Sequence, residues 1–350
     1  MSTGLPLGKL RALRRLADES GHFAMLAVDQ RPPIARLIAA RRRIDASAVA
    51  FADMVAVKKL VVEALGPLAS AILLDPNFGF PAALERVPAH AGLVVTLEDH
   101  RFSESDGGRR SHSIGDWSVE KIKRAGADAV KVLAWYRPDA SPEVREHQQR
   151  YVEAIGAQCR RFDIPFVLEL LVYPLAQGSD AAPGRIDLVD NMPQLVVDSV
   201  AEFAHPRYGV DLFKLESPVP GATLPAPDGG RAHRAAQAWF DRLGAICREA
   251  GIPWVLLSAG VTAAQFMRVM EYGHAAGAHG FLAGRAIWWD PLAPFPDLRA
   301  CADRLAEQGT ETLRVLRDLT ARAGNAWHPD YGGLIELESE GELCAAYAAT

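Results

Sequence analysis

Long hydrophobic runs are missing from this 350-residue chain, and no stretch reaches the length needed to cross a bilayer. Cysteine is scarce. The four present, Cys159, Cys247, Cys301 and Cys344, lie far apart and form no Cys-x-x-Cys pair, which excludes a disulfide framework and a cysteine zinc site. No His-x-His or His-Glu-x-x-His pattern occurs among the ten histidines, so metal chemistry has no sequence support and no metal or cofactor is expected. His100 and His112 share one loop, a placement that fits solvated or hydrogen-bonded rings. There is also no broad basic field: the formal charge is -5, and the run Arg41-Arg42-Arg43 reads as a solvated helix end. Nucleic acid and membrane are therefore not expected partners. The N-terminal stretch alternates basic and apolar residues, from Lys9 and Leu10 to Arg15 and Leu16, and so reads as an amphipathic helix instead of a signal peptide. A reducing, cytoplasmic compartment fits these features.

What the chain does have is a 49% hydrophobic share, enough for a sizeable core, delivered in short runs. Eight segments rich in Val, Ile, Leu and Phe recur: Phe23–Val28, Ser70–Leu74, Gly92–Leu97, Ala129–Ala134, Pro165–Leu170, Val210–Leu215, Pro253–Leu257 and His279–Ala283. Longer segments of helical periodicity separate them. Near-continuous hydrophobicity within each run points to strands covered on both faces, as in a parallel sheet wrapped by helices. Eight such units predict a closed α/β architecture, a (β/α)8 TIM barrel, over an open doubly wound sheet. The expected division is an N-terminal helix over 1–22, the barrel over 23–323 and a tail over 324–350. Ser141-Pro142-Glu143 opens one helix, Gly251-Ile252-Pro253 closes another, and Asp297 to Ala323 reads as a closing amphipathic helix. Long loops rich in Gly, Pro, Ser or Asp follow strands at Arg101–Asp116, Tyr173–Asp190, Ser217–Gly230 and Trp288–Pro296. In this fold such loops line the active-site face, and Ser217–Gly230 is expected to cover it.

Charged residues fall where strands end. Asp29, Asp75, Glu98, Lys131, Glu169, Lys214 and Arg285 lie within or just past the C-terminal half of seven of the eight runs. A lone charge in a buried strand is unfavourable by several kcal/mol unless paired, so the set together predicts a polar active-site mouth. In Asp211-Leu-Phe-Lys-Leu-Glu216, period-two geometry puts Leu212, Lys214 and Glu216 on one face. An inward Lys214 would be desolvated, and with Lys131 as a second cation nearby it would favour the neutral amine that attacks a ketone carbonyl. A structural pair of Lys214 with Glu216 or another carboxylate is the competing reading. Glu169, on the neighbouring strand, suits general acid/base work. Ser258-Ala-Gly-Val after strand seven and Gly284-Arg285 after strand eight are placed to hold a phosphate through backbone N–H groups and the guanidinium.

The segments Leu-Ala-Val-Asp-Gln-Arg (26–31), Asp-Pro-Asn-Phe-Gly-Phe-Pro-Ala (75–82), Tyr-Gly-Val-Asp-Leu-Phe-Lys-Leu-Glu (208–216), Leu-Ser-Ala-Gly-Val (257–261) and Ala-Gly-Arg-Ala-Ile-Trp (283–288) resemble the tagatose-1,6-bisphosphate aldolase family of class I aldolases. The ordered set spans roughly residues 5 to 320. That resemblance implies a metal-independent lyase with a Schiff base on Lys214 and an acid/base Glu169. It also implies Asp29, Gln30 and Lys131 around the substrate hydroxyls, Glu98 as a family acid on strand three, and Ser258, Gly260, Gly284 and Arg285 around a phosphate. The partner implied is a phosphorylated ketose, with a homo-oligomer left open. The loop from Ser217 to Gly230, the segment Trp135–Asp139 and the tail depart from the family pattern. They border the far end of the substrate, so a sulfonated ketose phosphate stays beside tagatose 1,6-bisphosphate. A sugar-phosphate isomerase or epimerase, and a sugar-phosphate-binding regulator, are the readings from other classes.

Overall fold

A computed structural model describes residues 5–105, 107–175 and 185–327, with 340, 341 and 344, and only the backbone of 185–190. Eight parallel strands close into a barrel: β1 (Phe23–Ala27), β2 (Ala71–Leu74), β3 (Gly92–Thr96), β4 (Ala129–Trp135), β5 (Phe166–Leu171), β6 (Leu212–Leu215), β7 (Trp254–Leu256) and β8 (Gly280–Ala283). Each pairs with its chain neighbours, and β8 pairs back onto β1. All eight expected runs are strands. The barrel closes because each hydrophobic run is buried twice. Along β1, Phe23, Met25 and Ala27 join the barrel's inner core, while Ala24 and Leu26 face the helices.

The inner core is a floor of apolar side chains, among them Val94, Ala129, Val167, Leu212, Val255 and Leu282. The helix Leu7–Leu16 closes the barrel beneath this floor, inserting Leu13 and Leu16 into it. Two ion pairs pin that helix: a buried one, with Lys9 Nζ 2.7 Å from Asp211 Oδ2, and a partly exposed one, with Arg15 Nε 2.7 Å from Asp128 Oδ1. Gly92 permits the close approach, since a Cβ there would collide with the Arg15 carbonyl.

The punctuation read from the sequence acts as expected. Ser141 Oγ accepts the Val144 N–H at the head of the helix Pro142–Arg161, and Gly251 adopts a left-handed φ of 67° after Arg231–Ala250. The closing segment differs in detail. It starts at Leu298 under an Asp297 cap and passes through a π-helical turn at Leu305–Gly309 before continuing as Thr310–Ala323. Inside the Arg101–Asp116 loop, Ser103–Ser105 and Gly108–Arg110 form a small antiparallel hairpin. Most of Tyr173–Asp190 and of the tail from 324 lies outside the described residues. Among the described residues, no helix is long and apolar enough to cross a membrane.

Candidate active site

One layer above the apolar floor, the inward positions become charged. Two residues on from Ala129, Val167 and Leu212 come Lys131, Glu169 and Lys214, and the strand period keeps all three pointing inward. Glu169 and Lys214 are directly paired in the β5–β6 register. Lys214 Nζ donates to Glu169 Oε2 at 2.9 Å. The same oxygen lies 2.8 Å from Lys131 Nζ, which also contacts Asp29 Oδ2 at 3.0 Å and Glu98 Oε1 at 2.7 Å. All five side chains are buried. The sequence reading set Lys131 beside Lys214 as a second cation. In the structure its charge sits among three carboxylates, so Lys214 meets a shared carboxylate instead of an unshielded ammonium.

This balance sets the protonation of the cluster. Burial pushes Asp29 upward, but the charges of Lys131, Lys214 and Lys58 outweigh it and hold the carboxyl well below its usual range. Burial likewise opposes ionisation of Glu169, yet Lys131 and Lys214 bring its carboxyl below the ordinary value. Lys131 resists burial through Asp29, Glu169 and Glu98 and holds its proton more firmly than a free lysine. Glu98 is the exception: burial wins over Lys131 and Arg31, and its carboxyl is raised. The resting cluster therefore holds an ionised Glu169 between the Lys131 ammonium and Lys214.

Asp75 does not belong to this layer, contrary to its grouping with the strand-end charges. Its Oδ1 pairs with Lys58 Nζ at 2.5 Å in a wholly buried contact behind the β1 loop, and Oδ2 accepts the Phe78 N–H at 2.7 Å. Lys58 in turn donates to the carbonyls of Val28 and Gln30, at 2.6 and 2.8 Å. The pair thus clamps the backbone on either side of Asp29. Lys58 went unnoticed in the sequence, although a signal exists: it interrupts the buried stripe Met54, Val57, Val61, Val62 and Leu65 of the helix Phe51–Leu65.

Arg31, next along the β1 loop, donates to the Glu98 carbonyl at 3.1 Å. Several buried polar atoms around this mouth lack a partner among the described residues: Asp29 Oδ1, Gln30 Oε1, Glu98 Oε2 and Arg31 Nε. Such atoms are rare in protein interiors, and here they cluster where a polyhydroxylated ligand would satisfy them.

Beside the cluster, β7 and β8 end in an anion-compatible cleft. A cavity of about 250 Å³ is lined by Gly260, Val261, Thr262, Arg285, Ala286 and Trp289 among others. Ala259 and Gly260 take successive left-handed φ values of 47° and 83°, and a side chain at 260 would run into the Arg285 guanidinium. Thr262 and Gln265 form a capping box at the start of the helix Ala263–Ala275. Gly284 packs against the Ala27 carbonyl and the Gln30 amide, leaving no room for a side chain. Ser258 lies buried just below. Burial lowers Arg285's hold on its proton, while Glu169 and Asp29 strengthen it. Every predicted site residue thus lies at the C-terminal mouth of the barrel, with Lys131, Asp29, Glu98, Glu169 and Lys214 in mutual contact and the β7–β8 set to one side. The middle of the Ser217–Gly230 loop is fastened to the helix Ala263–Ala275, where Arg268 and Tyr272 donate to the carbonyls of Leu224 and Pro225 at 2.9 and 3.1 Å.

The model of the DeoC/LacD family aldolases matches residues 23–290. Tagatose 1,6-diphosphate aldolase 2 of Enterococcus faecalis is 34% identical over 334 residues, covering 93% of this chain and 97% of that protein. Tagatose 1,6-diphosphate aldolase of Lactococcus lactis subsp. lactis is 33% identical over 324 residues, covering 91% and 97%. Among solved structures, the fructose-bisphosphate aldolase of Plasmodium falciparum has a TM-score of 0.60 at 12% identity, covering 92% of this chain and 98% of its own. A Schiff-base-forming fructose-1,6-bisphosphate aldolase has a TM-score of 0.53 at 15% identity, covering 89% and 99%. These two share the barrel fold. By sequence, the chain belongs to the DeoC/LacD family of aldolases.

Proposed function

We propose that this aldolase cleaves a ketose 1,6-bisphosphate of the tagatose type into dihydroxyacetone phosphate and glyceraldehyde 3-phosphate, through a Schiff base on Lys214. The observation that carries the reading is the buried contact of 2.9 Å between Lys214 Nζ and Glu169 Oε2 on adjacent, in-register strands. Lys214 passes a proton to Glu169 and the freed amine attacks the C2 carbonyl. Glu169 returns that proton to the carbinolamine oxygen, which leaves as water. The resulting iminium is the electron sink. Glu169, ionised again, takes the C4 hydroxyl proton, the C3–C4 bond breaks and the aldehyde departs. Glu169 then gives that proton to the enamine at C3, and addition of water releases dihydroxyacetone phosphate. Asp29, Gln30, Glu98 and Lys131 bind the substrate hydroxyls, the first three with side-chain oxygens that have no partner among the described residues. Ser258, Gly260, Gly284 and Arg285 hold the C1 phosphate at the β7–β8 cleft, by backbone N–H groups and one guanidinium. Cytoplasmic sugar metabolism suits the reading, as do three buried free thiols at Cys159, Cys247 and Cys301.

Borohydride reduction in the presence of dihydroxyacetone phosphate tests the proposal. The expected result is a covalent mass increment on the peptide carrying Lys214, together with triose phosphate release from tagatose 1,6-bisphosphate. Turnover that survives Lys214→Arg without any increment would instead support an isomerase or epimerase.

A further inference from the structure

Glu216 has no task in the mechanism above. It directly follows β6, and the strand period sets it on the inward face of Leu212 and Lys214. Its Oε1 accepts the Val172 N–H at 2.7 Å, just past the end of β5. That bond fastens β5 to β6 immediately above the Glu169–Lys214 pair.

Its electrostatic setting differs from that of its neighbours. Asp29, Glu98 and Glu169 each touch Lys131, and Asp75 touches Lys58. Glu216 is equally buried but, among the described residues, has no cation within ion-pair distance, and Lys214 there pairs with Glu169. The charged neighbours on its two elements are Glu169 from β5 and Lys214 from its own strand, while β7 offers no ionisable residue between Trp254 and Ser258. Burial pushes the Glu216 carboxyl up to about 8; the Val172 N–H opposes this and the charge of Glu169 reinforces it. A carboxyl so placed keeps its proton at neutral pH.

We propose that Glu216 is a positioning residue that works as the neutral acid, clipping β5 to β6 so that Glu169 stays in line with Lys214. Its ionisation puts a second negative charge beside the ionised Glu169, and repulsion between the two carboxylates pushes Glu169 out of line with Lys214. The proposal rests on the Schiff-base reading above.

Glutamine is the uncharged isostere, and its amide carbonyl still accepts the Val172 N–H. The kcat of Glu216→Gln is expected within about threefold of wild type near neutral pH. The variant-to-wild-type ratio should then rise about tenfold by about pH 9, as the wild type alone loses activity. Glu216→Ala, which leaves the Val172 N–H without a partner, should lose about tenfold or more in kcat with KM little changed. A flat ratio across pH overturns the proposal, as does Glu216→Ala turning over at the wild-type rate. So does a hundredfold loss in Glu216→Gln at neutral pH, which would make the carboxyl's own proton part of the chemistry. Borohydride trapping on wild type separates the two levels: trapping at Lys214 with a flat ratio removes only the role of Glu216, whereas no trapping removes the aldolase mechanism itself.

Discussion

At the scale of the residue, the mouth is a charge network in which each lysine has a different burden. Lys131 pairs with three buried carboxylates, so Lys131→Met takes from Asp29 its ion-pair partner and leaves Glu98 only the longer contact with Arg31 at 4.0 Å. Breaking a buried pair in this way is destabilising by about 3–5 kcal/mol, which urea denaturation would read as a lowered midpoint. Glu169→Gln, in contrast, removes the proton carrier while keeping the shape. A fall of about 10²–10⁴-fold in kcat is expected, followed by triose phosphate release. Lys214, Glu169, Lys131 and Asp29 were legible in the sequence because a charge in an otherwise apolar strand is anomalous wherever it occurs. Asp75 is the same anomaly with a different cause. Its partner Lys58 comes from a helix, and no strand pattern tells a charge facing the barrel axis from one paired behind it.

Among the elements, the N-terminal helix carries more structural weight than its length implies. Leu13 and Leu16 complete the barrel floor, and Lys9 and Arg15 tie the helix to the N-terminal ends of the strands. Leu16→Ala is expected to lower stability by about 2–5 kcal/mol through an unfilled cavity, seen as a drop in Tm with no change in KM. The amphipathic pattern announced this helix, but its docking site depends on Gly92, whose missing side chain admits the Arg15 carbonyl. The helix after β8 shows the limit of periodicity in another way. Its apolar stripe continues from Leu298 to Ala323, and the π-helical turn at Leu305–Gly309 leaves that stripe broadly intact. The Ser217–Gly230 loop has the composition of a lid, and Arg268 and Tyr272 hold its middle against the helix Ala263–Ala275.

For the molecule as a whole, the buried histidines set a limit toward acid. His274 and His279 lie away from the active-site mouth, and burial lowers both to about 4, with neighbouring histidines adding to the effect. Both rings are neutral in the folded protein and take up protons more readily when it unfolds. Their contribution is intact above the unfolded value of about 6.5 and declines as pH falls toward about 4, by at most about 1.4 kcal/mol per histidine per unit. Thermal melts across that range should therefore show a falling Tm, and His279→Gln should flatten the slope.

The sequence by itself determined the eight strands, their parallel arrangement and the ring of charges at one end, because burial on both faces and the price of an unpaired buried charge act locally on every residue. Tertiary structure alone decided who pairs with whom. It gave Lys131 three carboxylates, sent Asp75 to Lys58 and left Glu216 without a cation, since those outcomes depend on which side chains from distant strands and helices arrive within a few ångströms of one another.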